Sequence, residues 1–115
     1  MTAEVVVRSY EQDGATVVAL EGEITSVTSA ALQQRILPLI GRSRTTLIDL
    51  TRVPYISSAG LRTLLLVHRR ALRADSRTVL VGLTDEVRFV MSSTGFLGFF
   101  DIRDTSPLEP GGVGE

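Results

Sequence analysis

The amino-acid sequence predicts a single α/β domain, a mixed β-sheet of four to five strands with helices packed on it, in the order β-β-α-β-α-β-α-β. Runs of β-branched residues alternate with segments of helical periodicity, which is typical of parallel strands joined by right-handed crossovers. Asp13 and Gly14 lie between two valine-rich runs and therefore predict one antiparallel hairpin at the start of the sheet. A chain of 115 residues, 43% of them hydrophobic and only 5% aromatic, suits one domain with an aliphatic core.

The first part of the chain predicts the hairpin and one helix. Residues 4–10 and 15–22 form the two hairpin strands. The Thr- and Ser-rich segment 25–29 offers several N-caps for a helix whose apolar residues recur at helical spacing. Pro38 falls within this helix, and a proline in a helix interior costs about 3 kcal/mol. We therefore expect a distorted last turn, after which Gly41 ends the helix.

The middle of the chain predicts a buried strand followed by an amphipathic helix. Residues 45–50 (TTLIDL) form the strand, and residues 61–73 (LRTLLLVHRRALR) form the helix. The arginines of this helix project mostly away from its apolar face. The residues of that face are Leu61, Leu64, Leu65, His68 and Leu72.

The last part of the chain predicts a strand, a helix and a final strand. Residues 77–82 (RTVLVG) form the strand, and Thr84 is the N-cap of a helix that stops at Gly95. Residues 99–105 (FFDIRDT) form the final strand. We expect the domain to cover residues 1–105 and the Pro- and Gly-rich residues 106–115 to form a disordered tail.

Composition argues against several classes of function. The formal net charge of −1 gives no bulk attraction to nucleic acid or to an anionic membrane. There is no Cys and one His, His68, which we interpret as a packing residue, so we expect no metal site and no cofactor. Neither a signal peptide nor a membrane-spanning stretch is evident, and nucleotide-binding and nucleophile-elbow motifs are absent. We expect a cytoplasmic protein that is not an enzyme and has no catalytic residues.

The most informative motif is residues 53–61, VPYISSAGL, where two serines precede a leucine-rich helix. On spacing alone, capping of the helix by Ser57 is the stronger interpretation. The free N–H groups and the positive end of the helix dipole would also accommodate a phosphate, which would act as a switch for partner binding. The similar stretch 92–95, SSTG, precedes a glycine at a helix end and is better interpreted as a C-cap.

The segment LIDLTRVPYISSAGLRTLLLVHRRA resembles the signature of STAS domains, the anti-sigma factor antagonists of bacteria. VVALEGEITSVTSAALQQRI and DEVRFVMSSTGFLGFFDI are similar to further segments of the family, so the resemblance covers about residues 4–103. It implies a protein that binds an anti-sigma factor with serine-kinase activity and so releases the sigma factor for transcription. Phosphorylation by that kinase would break the complex, and a serine phosphatase would restore it.

The resemblance also assigns residues. Ser58 aligns with the phosphorylated serine, with Ser57 as the alternative acceptor, and Ser57 stands where the family has Asp. The partner would be an anti-sigma factor rather than nucleic acid or a membrane, and the protein a monomer or weak dimer. The alternative function is a STAS scaffold that is not phosphorylated, in a stress-signalling or lipid-transport complex. The expected partner-binding residues are Glu21, Glu23, Pro54, Tyr55, Ile56, Ser57, Ser58, Ala59, Gly60, Leu61 and Arg62.

Overall fold

The sheet has five strands in the spatial order β1-β2-β3-β4-β5, as seen in a computed structural model that describes residues 4–104. Sequence order and spatial order therefore coincide. β1 and β2 pair antiparallel, and each later pair is parallel, which confirms the predicted mixed sheet. The strands are β1 (Val6–Gln12), β2 (Ala15–Glu21), β3 (Thr45–Arg52), β4 (Arg77–Val81) and β5 (Asp101–Arg103).

Three α-helices and two short 3₁₀ turns connect the strands in the described part of the chain. The 3₁₀ turn Leu37–Leu39 follows the first helix directly and contains Pro38, so the distorted last turn predicted from that proline is confirmed. The second 3₁₀ turn, Leu97–Phe99, precedes the last strand. The helices are α1 (Ser29–Ile36), α2 (Ser58–Arg73) and α3 (Asp85–Thr94).

All three helices pack on one face of the sheet. Alternate residues of the central strands, such as Val18, Ile48 and Leu80, are fully buried against them. The helices contribute their own buried side chains to the same cluster, among them Ile36 and Leu64. A smaller buried cluster on the opposite face contains Val17, Leu47, Val79 and Val81 and no helical residue.

Two turns predicted from glycines adopt the left-handed conformation that favours this residue. Asp13 and Gly14 both have positive φ, 52° and 80°, which is the geometry of a two-residue hairpin turn. Gly95 ends α3 with φ 81°, which confirms the C-cap interpretation of residues 92–95.

Apart from shifts of up to three residues at the ends of elements such as β1 and α2, two predictions of local structure are wrong. The last strand covers only Asp101–Arg103, because Phe99 belongs to a 3₁₀ turn and the chain bends at residue 104. Residue 105 and the predicted tail 106–115 lie outside the described residues. The side chain of Leu72 is 61% exposed, so it is not part of the buried face of α2. The buried face of α2 is centred on Leu64, Val67 and Ala71, and Leu72 lies outside it although the adjacent Ala71 is fully buried.

Candidate partner-binding site

Two loops lie side by side at the carboxyl edge of the sheet, where α2 begins. The loop after β2 and the loop after β3 continue the pairing of their strands through three backbone hydrogen bonds. Gly22 N–H donates to the Arg52 carbonyl at 3.1 Å, Ile24 N–H to the Tyr55 carbonyl at 3.0 Å, and Ser57 N–H to the Ile24 carbonyl at 2.8 Å. The backbone just before α2 is therefore held in one conformation, which places the helix start reproducibly.

Gly60 allows the first turn of α2 to pack directly on these loops. A Cβ at this position would lie 2.6 Å from Ile56 Cγ1, 2.7 Å from Ile24 Cγ2 and 2.8 Å from the Ile24 carbonyl oxygen. Ile24 and Ile56 form an isolated parallel bridge, and both side chains are fully buried. The glycine of the SSAGL motif is thus explained by close packing, since its φ is not in the left-handed region.

The two serines of the motif have different roles at the helix start. Ser57 is the N-cap, with extended backbone (φ −95°, ψ 178°), and its hydroxyl accepts a hydrogen bond of 3.3 Å from Gly60 N–H. Ser58 is the first helical residue, its side chain is exposed, and its hydroxyl makes no hydrogen bond with any described residue. The hydroxyl of Ser58 is therefore accessible, whereas that of Ser57 stabilises the helix.

Thr84 fixes the other end of the loop. Its hydroxyl donates to the Val53 carbonyl at 3.0 Å and accepts from Val87 N–H at 3.3 Å, so one side chain caps α3 and holds the loop before α2. The exposed carboxylates of Asp85 and Glu86 follow in the first turn of α3. The sequence identified Thr84 as a cap, but its bond to Val53 joins residues 31 apart in the chain and has no sequence signal.

The exposed and half-buried residues around the start of α2 form one surface, which we call the α2 entry surface. Tyr55 is 40% exposed and supplies its largest apolar side chain. Arg62 lies one helical turn after Ser58 and forms no ion pair among the described residues. The members of the α2 entry surface are Glu23, Pro54, Tyr55, Ser57, Ser58, Ala59 and Arg62.

Four of the expected partner-binding residues do not belong to this surface. Ile56 and Leu61 are 0% and 1% exposed, and Gly60 is buried, so these three support the surface from below. Ile56 therefore cannot contact a partner directly, because its side chain packs beneath α2. Glu21 follows the core-facing Leu20 and so points to the opposite face of the sheet, away from α2.

On that opposite face, Glu21 lines a cavity of about 180 Å³ near the hairpin. Its carboxylate lies 3.6 Å from the guanidinium of Arg8, and the side chains of Arg8 and Glu21 are 72% and 46% exposed. Tyr10 lines the same cavity, and its buried hydroxyl has no hydrogen-bond partner among the described residues. Burial of the phenol, together with the nearby carboxylate of Asp49, raises the pKa of Tyr10 above its ordinary value of 10.0.

The described residues show no arrangement that suggests metal chemistry. Within residues 4–104 no three His, Asp or Glu side chains come together as a metal-binding group. His68 packs its ring edge-on against Phe100, with centroids 5.4 Å apart, as expected of a packing residue. No helix in this part of the chain is long and apolar enough to cross a membrane.

Comparisons of the sequence and of the fold with known proteins point to the same class of protein. The chain is 33% identical over 94 residues to the Bordetella bronchiseptica protein named "Putative anti-sigma factor antagonist BtrV". The aligned segment covers 81% of this chain and 81% of that protein. The fold is similar to that of an anti-sigma factor antagonist from Mycobacterium paratuberculosis, with a TM-score of 0.79, 26% identity, and coverage of 88% of this chain and 86% of the other.

A more distant match shows the same fold. The Bacillus cell fate determinant SpoIIAA, solved in its phosphorylated form, matches with a TM-score of 0.63 and 19% identity, over 84% of this chain and 90% of that chain. The sequence model of the STAS domain matches residues 7–107, nearly the whole of the chain. The protein therefore belongs to the STAS domain family.

Proposed function

We propose that this protein is an anti-sigma factor antagonist, which binds an anti-sigma factor through the α2 entry surface and thereby releases a sigma factor. The observation that carries the proposal is the exposed, unbonded hydroxyl of Ser58 on a helix start that Ser57, Gly60 and Ile24 hold in place. The similar proteins named as anti-sigma factor antagonists support the choice of partner. The protein then acts in the cytoplasm as a binding module, not as an enzyme.

Ser58 is the proposed site of regulation by phosphorylation. A phosphate on its hydroxyl would lie beside the N–H groups of Ser58 and Ala59, which form no hydrogen bonds among the described residues. The positive end of the dipole of α2 favours a dianion at this position. We therefore expect phosphorylation to leave α2 intact and to change what the surface can bind.

Arg62 provides a mechanism for that change. In the unmodified protein its exposed guanidinium is free to pair with a carboxylate of the partner. A phosphate on Ser58 would lie four residues before Arg62, the favourable order for an anion and a cation on one helix face. The phosphate would pair with Arg62 of the same chain, so the guanidinium would no longer be available to the partner. It would also add a charge next to Tyr55 that must lose its water when the partner binds. Both effects weaken binding.

Ser57 replaces the family's Asp without loss of the cap. Ser and Asp are both strong N-cap residues, and the Ser57 hydroxyl makes the expected bond to Gly60 N–H. The replacement removes one negative charge beside the acceptor, which favours a kinase that does not require an acidic neighbour. Phosphorylation of Ser57 itself would disturb the cap, so Ser58 is the better acceptor.

The test is binding to an anti-sigma factor with serine-kinase activity, measured by calorimetry with Ser58→Asp and Ser58→Ala variants. We expect Ser58→Asp to weaken binding at least about tenfold and Ser58→Ala to bind like the wild type. Ser93→Asp, an equal charge change on the exposed end of α3, is the matched control and should bind normally. Incubation with the kinase and ATP, followed by mass spectrometry, should place a single phosphate on Ser58.

Equal binding by wild type and Ser58→Asp, with no phosphate found on Ser58 or Ser57, would contradict the switch. Binding that persists in this way would favour the alternative of a scaffold that is not phosphorylated. If phosphorylation occurs, a serine phosphatase that removes the group should restore binding. Failure of every variant, including wild type, to bind anti-sigma factors would contradict the proposed function itself.

A further inference from the structure

Helices α1 and α2 carry a local excess of positive charge, although the whole chain has a net charge of only −1. α1 (SAALQQRI) and α2 (SAGLRTLLLVHRRALR) together contain five arginines and no acidic residue. Three of these arginines, Arg69, Arg70 and Arg73, are exposed near the end of α2 and form no ion pair among residues 4–104. None of these three guanidinium groups is therefore held by a carboxylate in the described part of the chain.

These three arginines border a groove between the two helices, of about 170 Å³, which we call the α1–α2 groove. Leu37 and Leu66 also line it and are half-buried, as is Gln33 of α1. The groove thus combines partly accessible leucines with guanidinium groups along one border. Arg70 and Arg73 lie in the last turn of α2, where the helix dipole favours cations, but the dipole does not account for Arg69 or for the leucines.

The spacing of the three arginines destabilises α2 slightly, so their purpose is not to stabilise the helix. Arg69 and Arg73 are four residues apart, and Arg70 and Arg73 three, so like charges face each other on the helix surface. Each such pair destabilises a helix by about 0.2–0.5 kcal/mol. An acidic partner would relieve this repulsion on binding, and arginine is well suited to bidentate pairing with carboxylates.

We propose that the α1–α2 groove is a second docking site, which binds an acidic amphipathic helix of a partner protein. The leucines would contact the apolar face of that helix, and Arg69, Arg70 and Arg73 would pair with its carboxylates. A protein helix fits better than a lipid surface, because the leucines lie in a concave groove and a membrane needs apolar residues that project. Charge complementarity also selects an acidic segment over a neutral one.

This site is separate from the α2 entry surface. Ser58 and Arg70 are twelve positions apart in one helix, or about 18 Å along its axis at 1.5 Å per residue. The α1–α2 groove does not overlap Ser58 and can be occupied whether or not Ser58 is phosphorylated, so the site does not depend on the proposed function. A partner that contacts both surfaces would keep one contact after phosphorylation.

The experiment uses a defined probe, a fluorescent helical peptide of about 14 residues with Leu on one face and Glu on the other. Its binding to the full chain is followed by anisotropy at about 20 mM and about 200 mM salt. We expect saturable binding that weakens about tenfold at the higher salt and about tenfold in the triple variant Arg69→Ser, Arg70→Ser, Arg73→Ser. Amide chemical shifts should change along α1 and in the second half of α2, from Leu66 to Arg73, and remain unchanged at Ser58.

The matched control changes the same number of charges elsewhere, at the exposed residues Arg42, Arg44 and Arg52. We expect this control to retain binding within about twofold. Equal losses in the two triple variants would show bulk attraction only and would overturn the proposal, as would a wild type that does not bind the peptide. Tighter binding to phosphatidylserine vesicles or duplex DNA through the same three arginines would also overturn it. Circular dichroism of each variant establishes that the fold is retained.

Discussion

Replacing Gly60 by alanine tests whether the start of α2 is held by direct contact with the loop after β2. In an ordinary helix this change stabilises the protein by about 1 kcal/mol. Here the new methyl group would lie within 2.6–2.8 Å of Ile56 Cγ1, Ile24 Cγ2 and the Ile24 carbonyl. Favourable carbon contacts lie at about 3.5–4.0 Å, so α2 or the loop must move by roughly 1 Å.

The magnitude follows from what would have to move. Ile24 and Ile56 are fully buried, and the Ile24 carbonyl accepts the hydrogen bond from Ser57 N–H, so neither loop can withdraw freely. Overpacking of this kind typically costs about 1–3 kcal/mol. We therefore expect Gly60→Ala to lower the free energy of unfolding by that amount, with the opposite sign to an ordinary glycine in a helix.

The assay is urea unfolding followed by circular dichroism, with two glycine variants as controls. Gly98→Ala adds a methyl group with nothing within 4 Å and should change stability by less than about 0.5 kcal/mol. Gly95→Ala also meets open space, but its φ of +81° is strained for alanine, so it should cost about 1 kcal/mol. A Gly60→Ala protein at least as stable as the wild type would refute the packing argument.

Three further predictions concern the loops and the hairpin. Ser57→Ala should lower the free energy of unfolding by about 1 kcal/mol, whereas Ser57→Asp preserves a cap and should not. Equal losses of stability in the two variants, measured by urea unfolding, would exclude a capping role. Thr84→Val should lower the free energy of unfolding by about 1–3 kcal/mol, because it leaves the Val53 carbonyl and the Val87 N–H without their partner. Thr84→Ser keeps the hydroxyl and should retain most of the stability. A Thr84→Val protein that unfolds like the wild type would contradict this role. The raised pKa of Tyr10 means that its contribution to stability is complete below the unfolded value of 10.0 and is lost as the pH rises through the folded pKa. Unfolding midpoints from about pH 8 to about pH 11 should therefore decline less in Tyr10→Phe than in the wild type, and parallel declines would argue against the shift.

Local signals were sufficient for most of the elements. Residues 13 and 14 specify a two-residue turn because both need positive φ, and Pro38 specifies where α1 changes to a 3₁₀ turn. The last strand was predicted too long because β-propensity does not register the 3₁₀ turn that ends at Phe99. The length of β5 is set by how many of its residues lie beside β4, which depends on the tertiary structure.

The sequence by itself determined the fold class, the family and the pair of serines at a helix start, because these depend on periodicity, turn residues and a local motif. Only the tertiary structure divided that motif into an exposed Ser58 and a buried support of Ile56, Gly60 and Leu61. It also placed Glu21 on the opposite face of the sheet. The physical reason is that burial and close approach depend on which distant segments pack together, and Ile24 reaches Gly60 only when two parallel strands bring their following loops side by side.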